Sequence, residues 1–372
     1  MTPVHYHTGA FPPSDIDWER LLPLIGRAGI AIGRYEGGLD GIPNSDVLIS
    51  PLINQEAVLS SRIEGTQATL SEVLEFEAEG KPNDESTPKK ADIQEVLNYR
   101  LALDKAIESM EELPLSQRLI RETHEVLMCG VRGRNKDPGN YRRISNWIGP
   151  EGCPQEQARF IPCGAEHLEA AMGAWEAYIH EDAPDALVQL AIAHAAFEAI
   201  HPFLDGNGRI GRLIVPLFLV EKGLLAKPNF YISEYLERHR DAYYDRLLAV
   251  SRDGDWTGWC AFFLEALISQ AEMNRTRAHE ILSLYDEKKG WIAEHIPSQY
   301  AVSALDWIFK NPIFRTSYFV ATSGIPEPTA RRILREARKR GLLAEFRSAS
   351  GRRPAILAFF ELLNIAEGKD IF

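Results

Sequence analysis

Twelve consecutive residues, 201–212, concentrate the groups that phosphate chemistry needs. They read His-Pro-Phe-Leu-Asp-Gly-Asn-Gly-Arg-Ile-Gly-Arg. His201 supplies a base of the type that titrates near neutral pH. Gly206 and Gly208 allow successive N–H groups to point into one concavity, which is a common way of binding anions. Asp205 would repel a phosphate unless a divalent metal lay between them, and Mg²⁺ typically binds one protein carboxylate together with phosphate oxygens. The stretch therefore predicts phosphoryl or nucleotidyl transfer.

Two apolar helices are predicted to hold this stretch in place. Residues 186–200 are rich in alanine and carry apolar side chains at spacings of three and four, as one stripe of an α-helix does. Pro202 ends that helix, because proline disfavours helical backbone in the residue before it and lacks an N–H. Helical spacing resumes at Ile210, and Gly223 is the predicted C′ residue. We therefore expect a loop between two buried helices, with His201 at the end of the first.

The start of the second helix is predicted to bind a polyphosphate. Its unpaired N–H groups and the positive end of its dipole attract anions. Arg209 and Arg212, three residues apart on one face of the helix, add two planar cations.

The whole stretch matches the signature of the Fic family (filamentation induced by cAMP), His-Pro-Phe-x-(Asp/Glu)-Gly-Asn-Gly-Arg-x-x-Arg, at every defined position. The chain thus resembles a Fic protein adenylyltransferase, which moves AMP from ATP to a Ser, Thr or Tyr hydroxyl of a target protein; the target can be another protein or the enzyme itself. The resemblance implies that His201 deprotonates that hydroxyl and that Asp205 holds Mg²⁺. It also implies that Asn207 and loop amides bind the α-phosphate and that the two arginines bind the β- and γ-phosphates. The nucleotide-binding residues it implies in the loop and helix are Gly206, Asn207, Gly208, Arg209, Ile210, Gly211 and Arg212.

A second informative stretch, residues 60–65, places a glutamate at the end of a helix. Ser50-Pro51 predicts the start of that helix and Gly65 its end. Glu64 would then face the negative end of the helix dipole, which is unfavourable unless a cation approaches it. Ser60, Glu64 and Gly65 resemble the Fic inhibitory motif, (Ser/Thr)-x-x-x-Glu-(Gly/Asn). The resemblance implies that Glu64 pairs with Arg212 and prevents productive seating of the γ-phosphate. Some relatives use this glutamate to align a water that removes AMP, so a brake, a deAMPylase or bifunctional enzyme, and a plain exposed glutamate all stay open.

A β-hairpin is predicted between these two stretches of the chain. Residues 144–148 and 160–161 have strand character on either side of a loop at 149–152. Fic proteins carry a β-hairpin flap here that clamps an extended target segment by main-chain pairing. The resemblance implies that the strand beside the active site consists of Ala158, Arg159, Phe160 and Ile161. A structural hairpin without a partner is the alternative.

A tyrosine pair follows the motif. Tyr243 and Tyr244 lie in a helix predicted from Glu237 to Ser251, and they resemble the aromatic pair that flanks the nucleotide base in relatives. A core role for both is the alternative. Some relatives have an asparagine where this chain has Ser251, which leaves the adenine contacts open. Beyond it, a buried helix from Trp256 and a polar helix over residues 275–295 are predicted.

The C-terminal part has a different character. Residues 296–372 hold 12 Lys/Arg and 7 Asp/Glu, a net charge of +5, whereas the whole chain carries −12. Three predicted helices and a hairpin resemble a winged helix-turn-helix, with residues 328–340 as recognition helix and Arg352-Arg353 on the wing. Such a module binds DNA, but it also serves in dimerisation or protein docking. A DNA-binding regulator with a nucleotide-sensing Fic core is therefore the competing function, and a homodimer is a further expectation.

Composition sets the remaining limits. The chain has 372 residues, 45% hydrophobic and 25% charged, as in soluble globular proteins, and no apolar run of the length that a membrane span needs. We expect a cytoplasmic protein that is mainly α-helical, with a Fic-type helical core, a small flap hairpin and the winged helix. In chain order the expected parts are an N-terminal helical region with the inhibitory helix (1–110), the catalytic core (111–270), a connecting helix (271–295) and the C-terminal domain (296–372). Near the N-terminus, a helix from Trp18 to Arg34 is expected to be broken by Gly37, Gly38 and Gly41, and a polar loop is expected over residues 79–90.

Overall fold

The structure, a computed structural model, describes residues 2–40, 45–79, 88–130, 135–150, 152–349 and 355–370. Most of these residues are helical, as expected. The helices are α1 (Trp18–Asp40), α2 (Ser45–Ile63), α3 (Leu70–Glu79), α4 (Pro88–Met110), α5 (Gln117–Leu127), α6 (Leu168–His180), α7 (Ala186–Ile200), α8 (Asn207–Glu221), α9 (Ser233–Arg238), α10 (Arg240–Asp253), α11 (Trp256–His295), α12 (Ala301–Lys310), α13 (Thr316–Thr322), α14 (Glu327–Lys339) and α15 (Phe360–Glu367). The strands are β1 (Val4–His5), β2 (Phe160–Ile161), β3 (Ile313–Arg315), β4 (Ala344–Arg347) and β5 (Ile356–Ala358). None of the described helices combines the length and the apolarity that crossing a membrane requires.

The chain folds into two units. The first comprises Met1–Glu36, Leu59–Thr66 and Leu97–Glu272. Its centre is α7, which is buried on almost every side because alanine and other apolar residues surround its axis; α6, α8 and α10 pack against it. Asp185 caps α7 by accepting hydrogen bonds from the main-chain N–H groups of Leu187 (3.0 Å) and Val188 (2.9 Å). The predicted arrangement, a loop between two buried helices, is confirmed, and Gly223 follows α8 with a φ of 68°.

The second unit comprises Gly37–Val58, Gln67–Val96 and Met273–Phe372. It contains a three-stranded antiparallel sheet in the order β3-β5-β4, against which α3 packs through β3. Arg347 on β4 forms ion pairs with Glu75 (2.9 Å) and with Glu79 on α3, and Arg315 donates to the Glu79 carbonyl. Strand β3 and helix α15 were not predicted from the sequence. The proposed wing residues Arg352-Arg353 lie outside the described residues.

Two helix boundaries near the N-terminus differ from the prediction. Helix α1 continues through Gly37 and Gly38 to Asp40, because a glycine costs a helix only about 1 kcal/mol and Leu39 is buried. Gly41 lies outside the described residues. Helix α2 begins at Ser45 rather than at Ser50, with Pro51 inside it. A proline removes one intrahelical hydrogen bond, and the buried residues that follow Pro51 offset that loss.

Three further predictions need correction. The hairpin is reduced to β2 and one antiparallel bridge, between Ile148 and Phe160, and the second partner of β2 is the N-terminal strand β1. The helix predicted from Glu237 to Ser251 is divided at His239 into α9 and α10. The buried helix and the polar helix after it are one helix, α11, since no glycine or proline interrupts the pattern between them. Most of the loop predicted at residues 79–90, and residue 151 of the flap loop, lie outside the described residues.

Candidate active site

His201 lies at the end of α7 in a left-handed conformation, with φ 52° and ψ 61°. Such angles are strained for a residue with a Cβ and persist only where the surroundings hold them. The His201 N–H donates to the Phe197 carbonyl (2.9 Å), and its own carbonyl accepts from Arg142 Nε (2.9 Å). The left-handed backbone of His201 thus ends α7 and is held by two hydrogen bonds.

Arg142 is a site residue that sequence reasoning missed. It is only 3% exposed. Its guanidinium also donates to the carbonyls of Ile200 (3.3 Å) and Cys163, and its main-chain N–H donates to the Pro202 carbonyl (2.9 Å). It therefore ties the end of α7 to the flap segment. A polar run precedes it, but no sequence spacing connects it with His201.

The imidazole of His201 is a neutral base. Burial lowers its pKa to about 4, and the nearby Arg142 guanidinium acts in the same direction, against a hydrogen bond to the Glu198 carbonyl that favours the charged form. That bond, from Nδ1 at 3.3 Å, requires the proton on Nδ1 because a carbonyl can only accept. Nε2 is thereby left as the proton acceptor at neutral pH.

The loop after His201 is anchored from both sides. Phe203 is fully buried and stacks on the His124 ring, with centroids 3.7 Å apart and planes at 6°. His124 Nδ1 accepts from the Gly139 N–H (2.9 Å), so its Nε2–H donates to the Asp205 carbonyl (2.9 Å). The Asn207 amide accepts from the Phe203 N–H (2.8 Å) and donates to the Phe203 carbonyl (2.9 Å). Asn207 therefore uses its side chain to hold the loop. His124 was not singled out from the sequence.

Asp205 presents a carboxylate at the start of α8. Its Oδ1 accepts from the Gly206 N–H (2.6 Å) and from Arg209 Nη2 (3.3 Å), and its side chain is 42% exposed. Gly206 has a φ of 80°, which a glycine adopts without strain. The structure brings together no group of three or more His, Cys, Asp or Glu side chains around a metal position within its described residues. A cation at Asp205 would thus need phosphate and water oxygens as its other ligands, which fits Mg²⁺.

Arg212 is bound to the end of α2. It is 1% exposed, and its Nε donates to Ser60 Oγ (2.8 Å) while Nη2 donates to the Ser60 carbonyl (2.8 Å) and to Glu64 Oε1 (2.7 Å). Burial alone would raise the pKa of Glu64, but Arg212 lowers it below its usual value, so that Glu64 is a carboxylate. Gly65 follows with a φ of 101°. A Cβ at Gly208 would overlap the Glu64 carboxylate, so this glutamate lies directly over the start of α8.

The remaining implied nucleotide-binding residues, Ile210 and Gly211, are the fourth and fifth residues of α8. The N–H groups of a first helical turn point toward the N-terminal end of the helix and lack intrahelical partners. Ile210 makes the first intrahelical bond, since its N–H donates to the carbonyl of the N-cap residue Gly206 (3.0 Å). The Glu64 carboxylate therefore lies close to the part of the helix that attracts anions.

The two tyrosines of α10 have different environments. Tyr243 is 1% exposed, and its hydroxyl is 2.9 Å from His194 Nε2. Tyr244 is half-buried, with the Arg240 guanidinium 5.8 Å from its ring centroid. Ser251 Oγ is 2.8 Å from His7 Nδ1 in the N-terminal arm. Tyr243 thus belongs to the core of the unit, and Tyr244 is the accessible member of the pair.

The flap strand is paired on both edges by this chain. The carbonyls of Arg159 and Ile161 accept from the N–H groups of Val4 (3.2 Å) and Tyr6 (2.9 Å), while Phe160 pairs with Ile148. Ala158 and Phe160 are buried, and Arg159 forms an ion pair with Asp245 on α10. The large apolar side chains that are exposed on the flap lie on the other segment of the predicted hairpin, residues 144–148: Ile144, Trp147 and Ile148.

Two family models match successive parts of the chain between residues 22 and 219. Residues 22–108 match the model described as Fic/DOC family N-terminal, and residues 114–219 match the model described as Fic/DOC family. The chain is 26% identical over 225 residues to a probable protein adenylyltransferase of Aquifex aeolicus, and the aligned region covers 59% of this chain and 63% of that protein. It is 24% identical over 259 residues to the protein adenylyltransferase Fic of Drosophila grimshawi, which covers 65% of this chain and 48% of that protein. The matches thus span less than two thirds of the length of these relatives.

Solved structures share the fold. A Fic family protein from Desulfovibrio desulfuricans superposes with a TM-score of 0.56 at 22% identity, over 94% of this chain and 98% of that one. A Fic domain containing signaling protein from Bacteroides thetaiotaomicron superposes with a TM-score of 0.52 at 18% identity, over 68% of this chain and 97% of that one. Given the two matched models and this shared fold, the chain carries the N-terminal and Fic domains of the Fic/DOC family.

Proposed function

We propose that this protein is a protein adenylyltransferase, which transfers AMP from ATP to a Ser, Thr or Tyr hydroxyl of a target protein, and that Glu64 inhibits it. The observation that carries the proposal is the geometry around α8: a neutral histidine base at one end of the loop and, on α8, an arginine held by a glutamate carboxylate. The names of the relatives from Aquifex and Drosophila support the same reaction.

The positions of the side chains support the following steps of the proposed reaction. Nε2 of His201 takes the proton of the acceptor hydroxyl. The hydroxyl oxygen attacks the α-phosphorus of ATP, the bond from that phosphorus to the bridging oxygen of the β-phosphate breaks, and diphosphate leaves. Main-chain N–H groups at the start of α8 and the guanidinium of Arg209 would bind phosphate oxygens. The strained backbone at His201, fixed by Arg142, keeps the base in one orientation.

Asp205 would hold Mg²⁺ through its exposed carboxylate, in agreement with the small protein ligand set around it. When bound, the ion would supply charge neutralisation on the phosphate groups. Arg209 shares the Asp205 carboxylate and would keep it oriented toward the phosphate side of the loop.

Inhibition is supported by the position of Glu64. Its carboxylate accepts a hydrogen bond from Arg212, the side chain that the proposal assigns to the γ-phosphate. It also places a negative charge next to the proposed polyphosphate site. ATP could still reach the loop amides, but its γ-phosphate would lack its arginine. Removal of AMP by a water aligned on Glu64 is the alternative use of the same carboxylate, and the experiment below separates the two.

A second candidate function belongs to the C-terminal part. The order of elements α12, β3, α13, α14, β4, β5 and the strand order β3-β5-β4 support a winged helix-turn-helix. A groove of about 770 Å³ beside α14 is lined by Arg331, Arg335, Arg338 and Lys339, which favours a polyanion such as duplex DNA. We place DNA binding second because Arg331 and Arg338 already form ion pairs with two glutamates of the same module, Glu327 and Glu345. The same module could also mediate a homodimer.

The test uses ATP labelled on the α- or on the γ-phosphate. The proposal expects protein-bound label from α-labelled ATP, weak in the wild type and strong in Glu64→Gly. Label from the γ-phosphate alone would overturn it. If the wild type removes AMP from protein modified by Glu64→Gly, and the variant does not, Glu64 has the removal role.

A further inference from the structure

Glu198 is a buried carboxyl that the proposed reaction does not use. It lies on α7, one turn before His201, and its side chain is 11% exposed. Its Oε1 is buried without a hydrogen-bond partner among the residues that the structure describes. A buried carboxyl oxygen without a donor is costly, particularly when charged, so its place beside the candidate site calls for a reason.

The nearest polar group on α7 cannot donate to it. His194 Nδ1 is 3.1 Å from the Gly211 carbonyl and must carry the ring proton, so Nε2 accepts from the Tyr243 hydroxyl at 2.9 Å. Glu198 Oε1 is 4.0 Å from that Nε2. A Cβ at Gly211 would overlap Oε1, so the Glu198 carboxyl lies against the backbone of α8 immediately before Arg212.

Arg212 interacts electrostatically with two carboxyl groups, those of Glu64 and Glu198, whose pKa values are shifted in opposite directions. Burial raises the pKa of Glu198 to about 8, with Arg212 opposing this rise and Glu64 adding to it, whereas the pKa of Glu64 is lowered. Near neutral pH Glu64 therefore carries the charge that pairs with the arginine, while Glu198 keeps its proton. The titratable and charged groups that face Glu198 are His194 on its own helix, Arg212 on α8, Glu64 at the end of α2, and Tyr243 and Tyr244 on α10.

We propose that Glu198 is a second counter-ion for Arg212, which ionises and binds the guanidinium when Glu64 is withdrawn and thereby competes with the phosphate groups of the nucleotide. The inference rests on the proposed function, in which Arg212 binds the γ-phosphate. Releasing Glu64 removes a repelling charge from Glu198 and leaves Arg212 with its two hydrogen bonds to Ser60 but without the Glu64 carboxylate. Both changes favour loss of the Glu198 proton to solvent.

The proposal predicts a pH-dependent affinity for ATP in the released state. If ionised Glu198 and the nucleotide exclude each other at Arg212, the Kd for ATP rises toward tenfold per pH unit above the pKa that Glu198 has in that state. Glu198→Gln keeps the size of the side chain and cannot ionise, so it should remove this dependence.

The experiment measures ATP binding by calorimetry between pH 6 and 8.5 with Mg²⁺ present. Glu64→Gly is compared with the double variant Glu64→Gly, Glu198→Gln, and the matched control is Glu64→Gly with Glu169→Gln, which changes an exposed glutamate on α6. We expect the ratio of Kd values between Glu64→Gly and the double variant to grow at least about fivefold from pH 6 to pH 8.5, and the control to follow Glu64→Gly. A ratio that is constant with pH would overturn the inference.

A second measurement does not require a change at Glu198. Carboxyl ¹³C shifts of glutamate-labelled protein should show a carboxyl titrating above pH 6 in the wild type and at lower pH in Glu64→Gly. An unchanged midpoint would overturn the inference even if the double variant fails to fold. Failure of the proposed function would appear separately, as absence of α-phosphate label on protein in the transfer assay.

Discussion

Glu64→Gly tests the proposed link between the end of α2 and the candidate nucleotide site most directly. The substitution removes the carboxylate that accepts from Arg212 Nη2 at 2.7 Å and leaves the two hydrogen bonds from Arg212 to Ser60. It also removes a negative charge that lies over Gly208 at the start of α8. Both effects should favour productive seating of the γ-phosphate.

The magnitude follows from the exposure of the two partners. A hydrogen bond between charged groups contributes about 1.5–3 kcal/mol. Arg212 is buried but the Glu64 side chain is 34% exposed, so the lower part of this range applies. About 1.5–2 kcal/mol corresponds to about 10- to 30-fold, and the lost repulsion of the polyphosphate acts in the same direction. We therefore expect transfer to rise by about 10- to 100-fold, with a smaller gain in ATP affinity, because the proposed inhibition acts on in-line geometry rather than on binding.

The assay is transfer of label from α-labelled ATP to the protein itself and to added acceptor protein. Glu111→Gly is the matched control, since it removes an exposed glutamate immediately after α4. Adding Arg212→Ala to Glu64→Gly should abolish most of the gain, because the released arginine is its cause. A Glu64→Gly variant that is no faster than the wild type with any acceptor would refute the reasoning.

Four other predictions follow from the described contacts. His201→Ala should lower transfer by about 10²- to 10⁴-fold with ATP affinity within a few-fold; full activity would exclude it as the base. Arg142→Ala should lower kcat and the melting temperature together, because it removes donors to the carbonyls at the end of α7; unchanged values of both would contradict this. In Glu198→Gln the free energy of unfolding should fall less between about pH 4.5 and 8 than it does in the wild type, because a carboxyl whose pKa is raised on folding destabilises the fold as pH rises through that window. Parallel curves of unfolding free energy against pH for the two proteins would argue against it. Arg335→Glu with Lys339→Glu should weaken any salt-dependent binding of duplex DNA, and absence of such binding by the wild type at micromolar concentration would remove the DNA-binding proposal.

Charge substitutions are preferable to truncation for the C-terminal part. Helix α3 packs against β3, and Arg347 on β4 pairs with Glu75 and Glu79. Deleting residues 296–372 would expose the buried face of α3 and remove these ion pairs. A change in activity after such a deletion would therefore not report on DNA binding alone.

Local chemistry allowed the sequence to predict the part of the site that lies between α7 and α8. The spacing of apolar residues in 186–200, Pro202, and the glycines of the loop act on neighbouring backbone, so their effects are readable in order along the chain. The same holds for Gly65, which follows the end of α2. Where local rules conflicted with burial, as for Pro51 inside α2 and for Gly37 and Gly38 inside α1, the prediction of helix boundaries was wrong.

Contacts between distant segments explain what the sequence could not supply. Arg142 and His124 hold the ends of the loop through carbonyl groups, and carbonyls are present at every residue, so no side-chain pattern identifies the partners. The pairing of β2 with β1 joins residues 156 positions apart in the chain, Val4 with Phe160 and His5 with Ile161, and a two-residue strand carries no periodicity of its own. The sequence alone thus determined the candidate reacting groups and the loop that presents them, because these depend on residue type and short-range backbone preference. Only the tertiary structure decided that Arg212 is hydrogen-bonded to Glu64 and acts electrostatically on Glu198 as well, and that the pKa of one carboxyl is lowered while that of the other is raised, because burial and the distance between charges exist only in the folded chain.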